Sequence, residues 1–431
     1  MVKARTCSTW NFPLRSPYPR PAMRAAVTTR YGLPEVVEVR EVPTPTPADN
    51  EVLVRVRASS VCFGDRIFRS GPLLIRLLSG FRPRHPILGV DLAGTVETVG
   101  PGVTRFAPGD AVYGARGDKF AAHAEFACVA EDGFLARKPA TMTFEEAGTV
   151  FVGAACSLYF LRRANVKPGE RVLVHGASGS LGVFAVQLAK HFGAHVTAIC
   201  SSVNVSLVRS LGADDVIDYT AQDFTDGGPV HDVIVDVLGK AGFPRSLRAL
   251  KPGGRYLLVG FSGGLWGIAR ALVTGGVVHL RGRARFVTGA ADPKQADLVF
   301  LQELIDAGKL RTVIGRRYTL DEIADAHRYA DTDHKIGNVA VLIGNQTDVR
   351  RRSNENAAEA CVERDRRPGG RVSVARAPRL ASRSNQADHG NGNRDRLQVG
   401  RSARHDRARR PGQRDHRKVE GRRLEQEKQR G

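Results

Sequence analysis

Apolar residues alternate with polar ones near the start of the chain, whereas in its middle they come in short unbroken runs. In Glu51-Val-Leu-Val-Arg-Val-Arg-Ala, residues Val52, Val54 and Val56 take one face while Leu53, Arg55 and Arg57 take the other. That alternation predicts a half-buried antiparallel strand. Residues 35–42 carry a similar pattern, and Pro43-Thr-Pro-Thr-Pro-Ala-Asp-Asn forms a turn-rich connector. Further short strands are expected at residues 94–100, 110–114 and 124–129, so residues 23–150 read as a small β-rich domain. From residue 151 to about 305 the pattern changes to strands alternating with helices, and the chain as a whole reads as α/β.

Val172-Leu173-Val174 is a continuous apolar run that suits a strand buried on both faces of a parallel sheet. Gly176, Gly179 and Gly182 follow, and they allow a tight turn and a close backbone approach to a ligand. Leu181, Phe184, Leu188 and Phe192 then recur at helical spacing, with Gln187, Lys190 and His191 expected on the opposite face. Strand, glycine turn and helix is the setting in which such a motif binds a dinucleotide. The helix N-terminus offers unpaired N–H groups and partial positive charge to a pyrophosphate. Residues 194–200 predict the next strand, which ends at Ser201-Ser202, where NAD-preferring folds carry an acid for the ribose hydroxyls. Small polar residues leave room for a 2′-phosphate, so NADP(H) is the expected cofactor and NAD(H) the second choice. Arg209 is the nearest candidate cation for that phosphate.

Charge and cysteine content narrow the function classes. The formal net charge is +21, which would suggest a nucleic-acid or membrane partner if it were evenly spread. Residues 348–431 alone carry +12, from 24 basic and 12 acidic residues, and residues 1–22 carry +4, leaving +5 for residues 23–347. The core of the chain therefore requires no nucleic acid. Residues 348–431 hold 22 Arg against 2 Lys with almost no periodic apolar content, and read as a disordered tail. A shifted reading frame beginning just after Ile343-Gly344 would produce such a tract. Residues 1–22 read as an N-terminal extension, with Met23 as the functional start. The 6 cysteines are scattered with no C-x-x-C pair, which indicates neither a disulfide framework nor a zinc knuckle. The longest apolar region, residues 257–280, is interrupted by Arg270 and glycines and does not predict a membrane span. A cytoplasmic enzyme is expected.

The segments Tyr31-Gly-x-Pro34-Glu, Pro47-x-x-Asn50-Glu-Val-Leu-Val, Ala58-Ser-Ser-Val-Cys-Phe-Gly-Asp65 and Leu88-Gly-Val-Asp-Leu-Ala-Gly-Thr-Val occur in order. Phe106-x-Pro-Gly-Asp-Ala-Val-Tyr-Gly114, Lys167-Pro-Gly-Glu-Arg-Val-Leu-Val-His-Gly-Ala-Ser-Gly, Leu211-Gly-Ala-Asp-Asp-Val-Ile-Asp-Tyr219 and Leu250-Lys-Pro-Gly-Gly-Arg follow them. Through these motifs residues 23–345 resemble the medium-chain dehydrogenase/reductase superfamily, in its zinc-free quinone-oxidoreductase branch. The resemblance implies a GroES-like catalytic domain at 23–150 completed by 306–347. It also implies a Rossmann domain with a doubly wound parallel sheet at 151–305, and an active site in the cleft between the two. A homodimer is the expected assembly.

Zinc-dependent relatives pair a Cys-x-x-Asp with a later Gly-His-Glu. This chain keeps Cys62-Phe-Gly-Asp65 but reads Gly89-Val90-Asp91, so the His ligand is absent. A catalytic zinc needs three protein ligands and an open position, and none is expected here. Without a metal to polarise a carbonyl, the reaction implied is hydride transfer from the nicotinamide to a small hydrophobic quinone or α,β-unsaturated carbonyl. Asp65 is the expected orienting or proton-relay group, with Cys62 and Cys156 lining the pocket, while Tyr113 and Tyr159 are candidate proton donors read first as core aromatics. The resemblance assigns Gly176, Ser178, Gly179, Ser180 and Leu181 to the pyrophosphate, and Ser201, Ser202 and Tyr219 to the adenosine ribose. It puts Asp236-Val-Leu-Gly239 and Val259-Gly260-Phe261 beside the nicotinamide half, and Asn338 where the family often carries a cofactor lysine. The apolar runs at residues 72–81 and 264–268 are candidate walls of the substrate pocket. Two alternatives stand beside this reading: an NAD(P)-dependent alcohol dehydrogenase, and an inactive cofactor-binding protein with an RNA-binding tail.

Overall fold

A computed structural model describes residues 21–116, 120–260, 273, 284–332 and 334–344 of the chain. The expectations for the tail at 348–431, for nearly all of residues 1–22, for Phe261 and for the apolar run at 264–268 fall outside the described residues.

The chain opens with β1 (Ala22–Thr28) and β2 (Val37–Pro43), paired antiparallel. Then come β3 (Glu51–Ser60), helices α1 (Phe63–Ser70) and α2 (Leu73–Ser79), and strands β4 (Asp91–Val99), β5 (Ala111–Ala115), β6 (Phe126–Ala130) and β7 (Phe134–Arg137). Val52, Val54 and Val56 of β3 are fully buried, as the alternation requires, and Arg55 on the other face is exposed. Helices α3 (Phe144–Ala147) and α4 (Phe151–Arg163) lead into the alternating part of the chain.

That part runs β8 (Arg171–His175), α5 (Gly182–His191), β9 (His195–Cys200), α6 (Val205–Ser210), β10 (Asp215–Asp218), β11 (His231–Asp236), α7 (Phe243–Ser246), β12 (Leu250–Leu258) and β13 (Arg285–Thr288). These six strands form one parallel sheet in the order β10-β9-β8-β11-β12-β13. Counted from β8 the order is 3-2-1-4-5-6, the doubly wound arrangement that opens a crevice beyond the strand ends where the winding reverses, between β8 and β11.

Both faces of this sheet are covered, which is why its strands read as unbroken apolar runs. Val172, Val174, Val196, Ala198, Val233 and Val235 pack into one core with α4 and α5. Leu173, Ile199, Ile234, Tyr256 and Leu258 pack into a second core on the other face. Each fully buried Val or Leu contributes about 1.5–3 kcal/mol relative to leaving it in water. Gln187 corrects the expected polar face of α5. It is buried, its amide nitrogen donating to Arg311 O at 2.9 Å and its Oε1 accepting from Arg311 N at 2.9 Å. The segment after α8 (Gln295–Asp306) covers that side of the helix, so a polar side chain is buried there with its bonds satisfied.

The chain then returns to the first sheet through β14 (Ile314–Thr319), α9 (Ile323–Ala330) and β15 (Asn338–Leu342). β15 pairs antiparallel with β3, Ala340 opposite Ser60, and completes the order β14-β15-β3-β4-β5-β7, with β6 also on β3. This GroES-like sheet has its own core, built from Val54, Val56, Leu92, Val112, Val339 and Val341 among others. The fold is therefore the mixed α/β arrangement that the resemblance implies, one GroES-like sheet and one Rossmann-like parallel sheet.

Candidate active site

The site grows from the turn between β8 and α5. Gly176 has φ +83°, and a Cβ there would lie 2.7 Å from Leu238 Cγ, so the tight turn requires glycine. At Gly182 a Cβ would stand 2.2 Å from Gly176 O, so the helix can start this close to the strand only without a side chain. Gly179 is different: its nearest neighbour would be Gly176 O at 3.4 Å, which leaves its backbone open for a ligand to approach. The helix starts on carbonyls of the turn itself: Val183 N donates to Gly179 O at 3.0 Å, and Ala185 N to Leu181 O at 2.9 Å.

Around this turn lies a cleft of about 540 Å³. The Rossmann-like sheet supplies His175, Gly176, Ser178, Gly179, Ser180 and Leu181, then Ser201, Asn204 and Tyr219 at one end, and Val237, Leu238, Val259 and Gly260 at the other. From the other sheet come Cys62, Phe63 and Arg66 of the α1 turn, and Thr332, His334, Lys335 and Ile336 of the loop before β15. That loop touches the glycine turn: Gly337 N donates to Ser178 O at 2.8 Å, and Lys335 Nζ lies 2.7 Å from Ser180 Oγ. No Asp or Glu lines the cleft among the described residues, whereas Arg66, Lys240 and Lys335 do. The balance suits an anionic ligand.

Of the expected cofactor residues, Gly176, Ser178, Gly179, Ser180, Leu181, Ser201, Tyr219 and Gly260 line this one cleft. Ser202 does not; it starts a short 3-10 helix, and its amide donates to the half-buried Asp218 carboxylate. Asn338 also stays out. It is buried, and its amide nitrogen donates to Thr312 Oγ1 at 3.1 Å and Val313 O at 3.2 Å. Arg209 is not among the lining residues either. Sequence reasoning missed Asn204, whose amide nitrogen lies 3.2 Å from both Ser178 Oγ and Ser201 Oγ and so links the turn to the end of β9. It also missed Lys335, for which the one signal was a lysine two residues before Gly337.

Cys62 lines the cleft, and Asp65 lies beneath it, fully buried. Asp65 Oδ2 accepts from Cys62 N and Oδ1 from Gly89 N, both at 2.8 Å, so the carboxylate caps α1 and ties it to the segment before β4. Burial, then the charges of Asp65 and Asp91, push the Cys62 thiol well above its ordinary range. Cys156, on α4 and outside the lining, is pushed up to about 12 by burial and Asp91. Tyr113 is buried in the core, its hydroxyl without a hydrogen-bond partner among the described residues, and the Tyr159 hydroxyl accepts from Arg163 at 3.1 Å. Neither tyrosine reaches the cleft. The run at 72–81 contains α2, and Leu73, Leu77 and, beyond the helix, Phe81 are exposed and outside the cleft lining.

Under the floor, Asp236 holds the ends of β8 and β11 in place. Its carboxylate meets His175 Nδ1 at 3.1 Å and the Tyr256 hydroxyl at 2.7 Å, and also accepts from the amides of Gly239 and Ala241. Burial works to raise this carboxyl, but the bonds from His175, Tyr256 and Ala241 hold it below the usual range.

Comparison with known proteins decides the family. The alcohol dehydrogenase GroES-like domain family matches residues 48–136, and the zinc-binding dehydrogenase family matches residues 211–341. A quinone oxidoreductase from Sus scrofa is 32% identical over 331 residues, covering 74% of this chain and 97% of its own. The chain belongs to the medium-chain dehydrogenase/reductase superfamily. An acryloyl-coenzyme A reductase from Metallosphaera sedula is 32% identical over 332 residues, 70% of this chain and 95% of the relative. The structure of a quinone oxidoreductase from Coxiella burnetii superimposes with a TM-score of 0.66 at 28% identity, over 75% of this chain and 100% of that one. Within the superfamily the chain falls in the quinone-oxidoreductase-like branch, and as a superfamily member it is an NAD(P)-dependent oxidoreductase. The glycine turn, the open face of Gly179 and the basic lining fit such a dinucleotide.

Proposed function

We propose that this chain is a reductase of quinones or α,β-unsaturated carbonyls that takes its hydride from NADPH in preference to NADH and works without zinc. The observation that carries the reading is the cleft itself, a glycine turn capped by the α1 turn of the other sheet, with Cys62 rather than a set of metal ligands above the nicotinamide end. The names of the relatives, quinone oxidoreductase and acryloyl-coenzyme A reductase, support the same class of acceptor.

The donor set at Cys62 does not fit a catalytic zinc. Both oxygens of Asp65 accept backbone N–H groups, and both oxygens of Asp91 accept from Val152 N and Ser60 Oγ. Residue 90, where zinc-dependent relatives carry His, is Val. No group of three or more His, Cys, Asp or Glu suited to a metal occurs among the described residues.

A bound nicotinamide cofactor supplies the hydride. The chain's own work is binding and alignment. The amides at Ser180 and Leu181 and the start of α5 favour the pyrophosphate, and Ser201, Asn204 and Tyr219 surround the adenosine ribose. Val237, Leu238, Val259 and Gly260 form an apolar wall for the nicotinamide half. Asp65 acts as a positioning residue, fixing the turn that carries Cys62 and Phe63 over the acceptor. A conjugated acceptor spreads the negative charge that develops on hydride arrival, so hydrogen bonding and a proton from solvent are sufficient help. The preference for NADPH rests on Ser201 at the end of β9 and on the absence of an acid at residues 201–213. The substrate is a small hydrophobic carbonyl or quinone, and the assembly a homodimer.

Oxidation of NADPH by metal-analysed protein against quinones, enones and, in reverse, alcohols tests the reading. Activity confined to alcohols and dependent on zinc would overturn it.

A further inference from the structure

Lys335 is a half-buried cation beside the glycine turn. Burial lowers its pKa, with the Arg66 charge acting in the same direction and Cys62 and Asp65 against it. Asp65, however, directs its two oxygens at the Cys62 and Gly89 amides, and the hydrogen-bond acceptor of the ammonium is the Ser180 hydroxyl. A desolvated ammonium held by a neutral hydroxyl gains from a nearby anion. The ground beside it is made for one: Ser180 is in the turn at the N-terminus of α5, and Arg66 faces the same cleft.

Position 338 cannot serve that need, because Asn338 spends its amide on Thr312 and Val313 inside the protein. The backbone of the same loop reaches the turn instead, through Gly337 N to Ser178 O and the bridge between Gly179 and Gly337.

We infer that Lys335 is the phosphate anchor for the dinucleotide, its ammonium meeting the pyrophosphate across the Ser180 turn in place of the inward-turned residue 338. The inference rests on the nicotinamide-dependent reading above. It makes the cofactor a tie between the two sheets, since Lys335 belongs to the loop of one and Ser180 to the turn of the other.

The test is cofactor binding by the full chain, read by calorimetric titration with NADPH and with adenosine 5′-diphosphoribose, which keeps the pyrophosphate and lacks the nicotinamide. Lys335→Met should weaken both at least tenfold and reduce the salt dependence of binding. Lys335→Arg should stay within threefold of the native protein. Lys335→Gln, which drops the charge and can still bond to Ser180, should behave like Lys335→Met if that variant is unstable in a melting experiment. Binding of adenosine 5′-diphosphoribose by Lys335→Met or Lys335→Gln as tight as in the native protein would overturn the anchor and leave the reductase reading standing. Native protein that binds neither probe would overturn both.

Discussion

The Ser60 hydroxyl donates to Asp91 Oδ2 at 2.8 Å, joining β3 to β4 beneath the cleft, while Val152 N donates to Oδ1 at 2.9 Å. Burial raises this carboxyl to about 7, against the pull of those two bonds. An unfolded chain would release the same proton near pH ~3.9. Between those values the folded state keeps a proton that the unfolded state has lost, so stability falls as pH rises. The slope approaches about 1.4 kcal/mol per pH unit. Asp91→Asn keeps an acceptor for Val152 and removes the titration. The variant should therefore gain on the native protein by more than about 1 kcal/mol in denaturant melts taken from pH 5 to pH 7. A difference that stays constant over that window would contradict the account.

Two glycines of one turn should respond differently to alanine. At Gly182 the added Cβ meets backbone at 2.2 Å, which cannot move aside as a side chain could. Gly182→Ala should cost about 1–3 kcal/mol, seen as a lower melting temperature without cofactor. At Gly179 the nearest atom is 3.4 Å away, so Gly179→Ala should melt like the native protein and yet bind NADPH at least tenfold more weakly. Equal effects of the two changes on melting would argue against this geometry.

Ser201 lines the cleft at the end of β9 and shares Asn204 with Ser178. A carboxylate at this point would repel a 2′-phosphate and accept from ribose hydroxyls. Ser201→Asp should lower kcat/KM for NADPH at least tenfold and raise the NADH to NADPH ratio. If both cofactors lose equally, Ser201 does not face the ribose.

Asp65 acts through the two amides it accepts from. In Asp65→Asn one of these would face an NH2 group, at a cost of roughly 1.5–3 kcal/mol for a charge-assisted bond. Loss of kcat with an unchanged dissociation constant for NADPH is expected, because the turn carrying Cys62 moves and the glycine turn does not. An unchanged kcat would contradict this role, and a lost kcat accompanied by a changed pH profile would instead make Asp65 a proton relay.

The fold was legible because its physics is local. Val172 to Val174 had to be buried on both faces, and the alternation of Val52, Val54 and Val56 had to face a core. Glycines 176, 179 and 182 mark a turn that a Cβ would obstruct or fill. The site was less legible where partners are distant in sequence. Gln187 looked like a surface residue because Arg311, which satisfies it, lies 124 positions away. Asn338 looked like a cofactor contact because family position says nothing about the bonds to Thr312 and Val313 that turn it inward. Lys335 was invisible for the complementary reason: its acceptor Ser180 lies 155 positions earlier, and only the return of the chain to the first sheet brings them together.

The most direct measurement is the fate of a label carried on C4 of the nicotinamide. Metal-free protein given C4-deuterated NADPH and an enone should yield the saturated ketone with deuterium on the β-carbon. Deuterium on the carbinol carbon of an alcohol, formed only after zinc is added, would contradict the account.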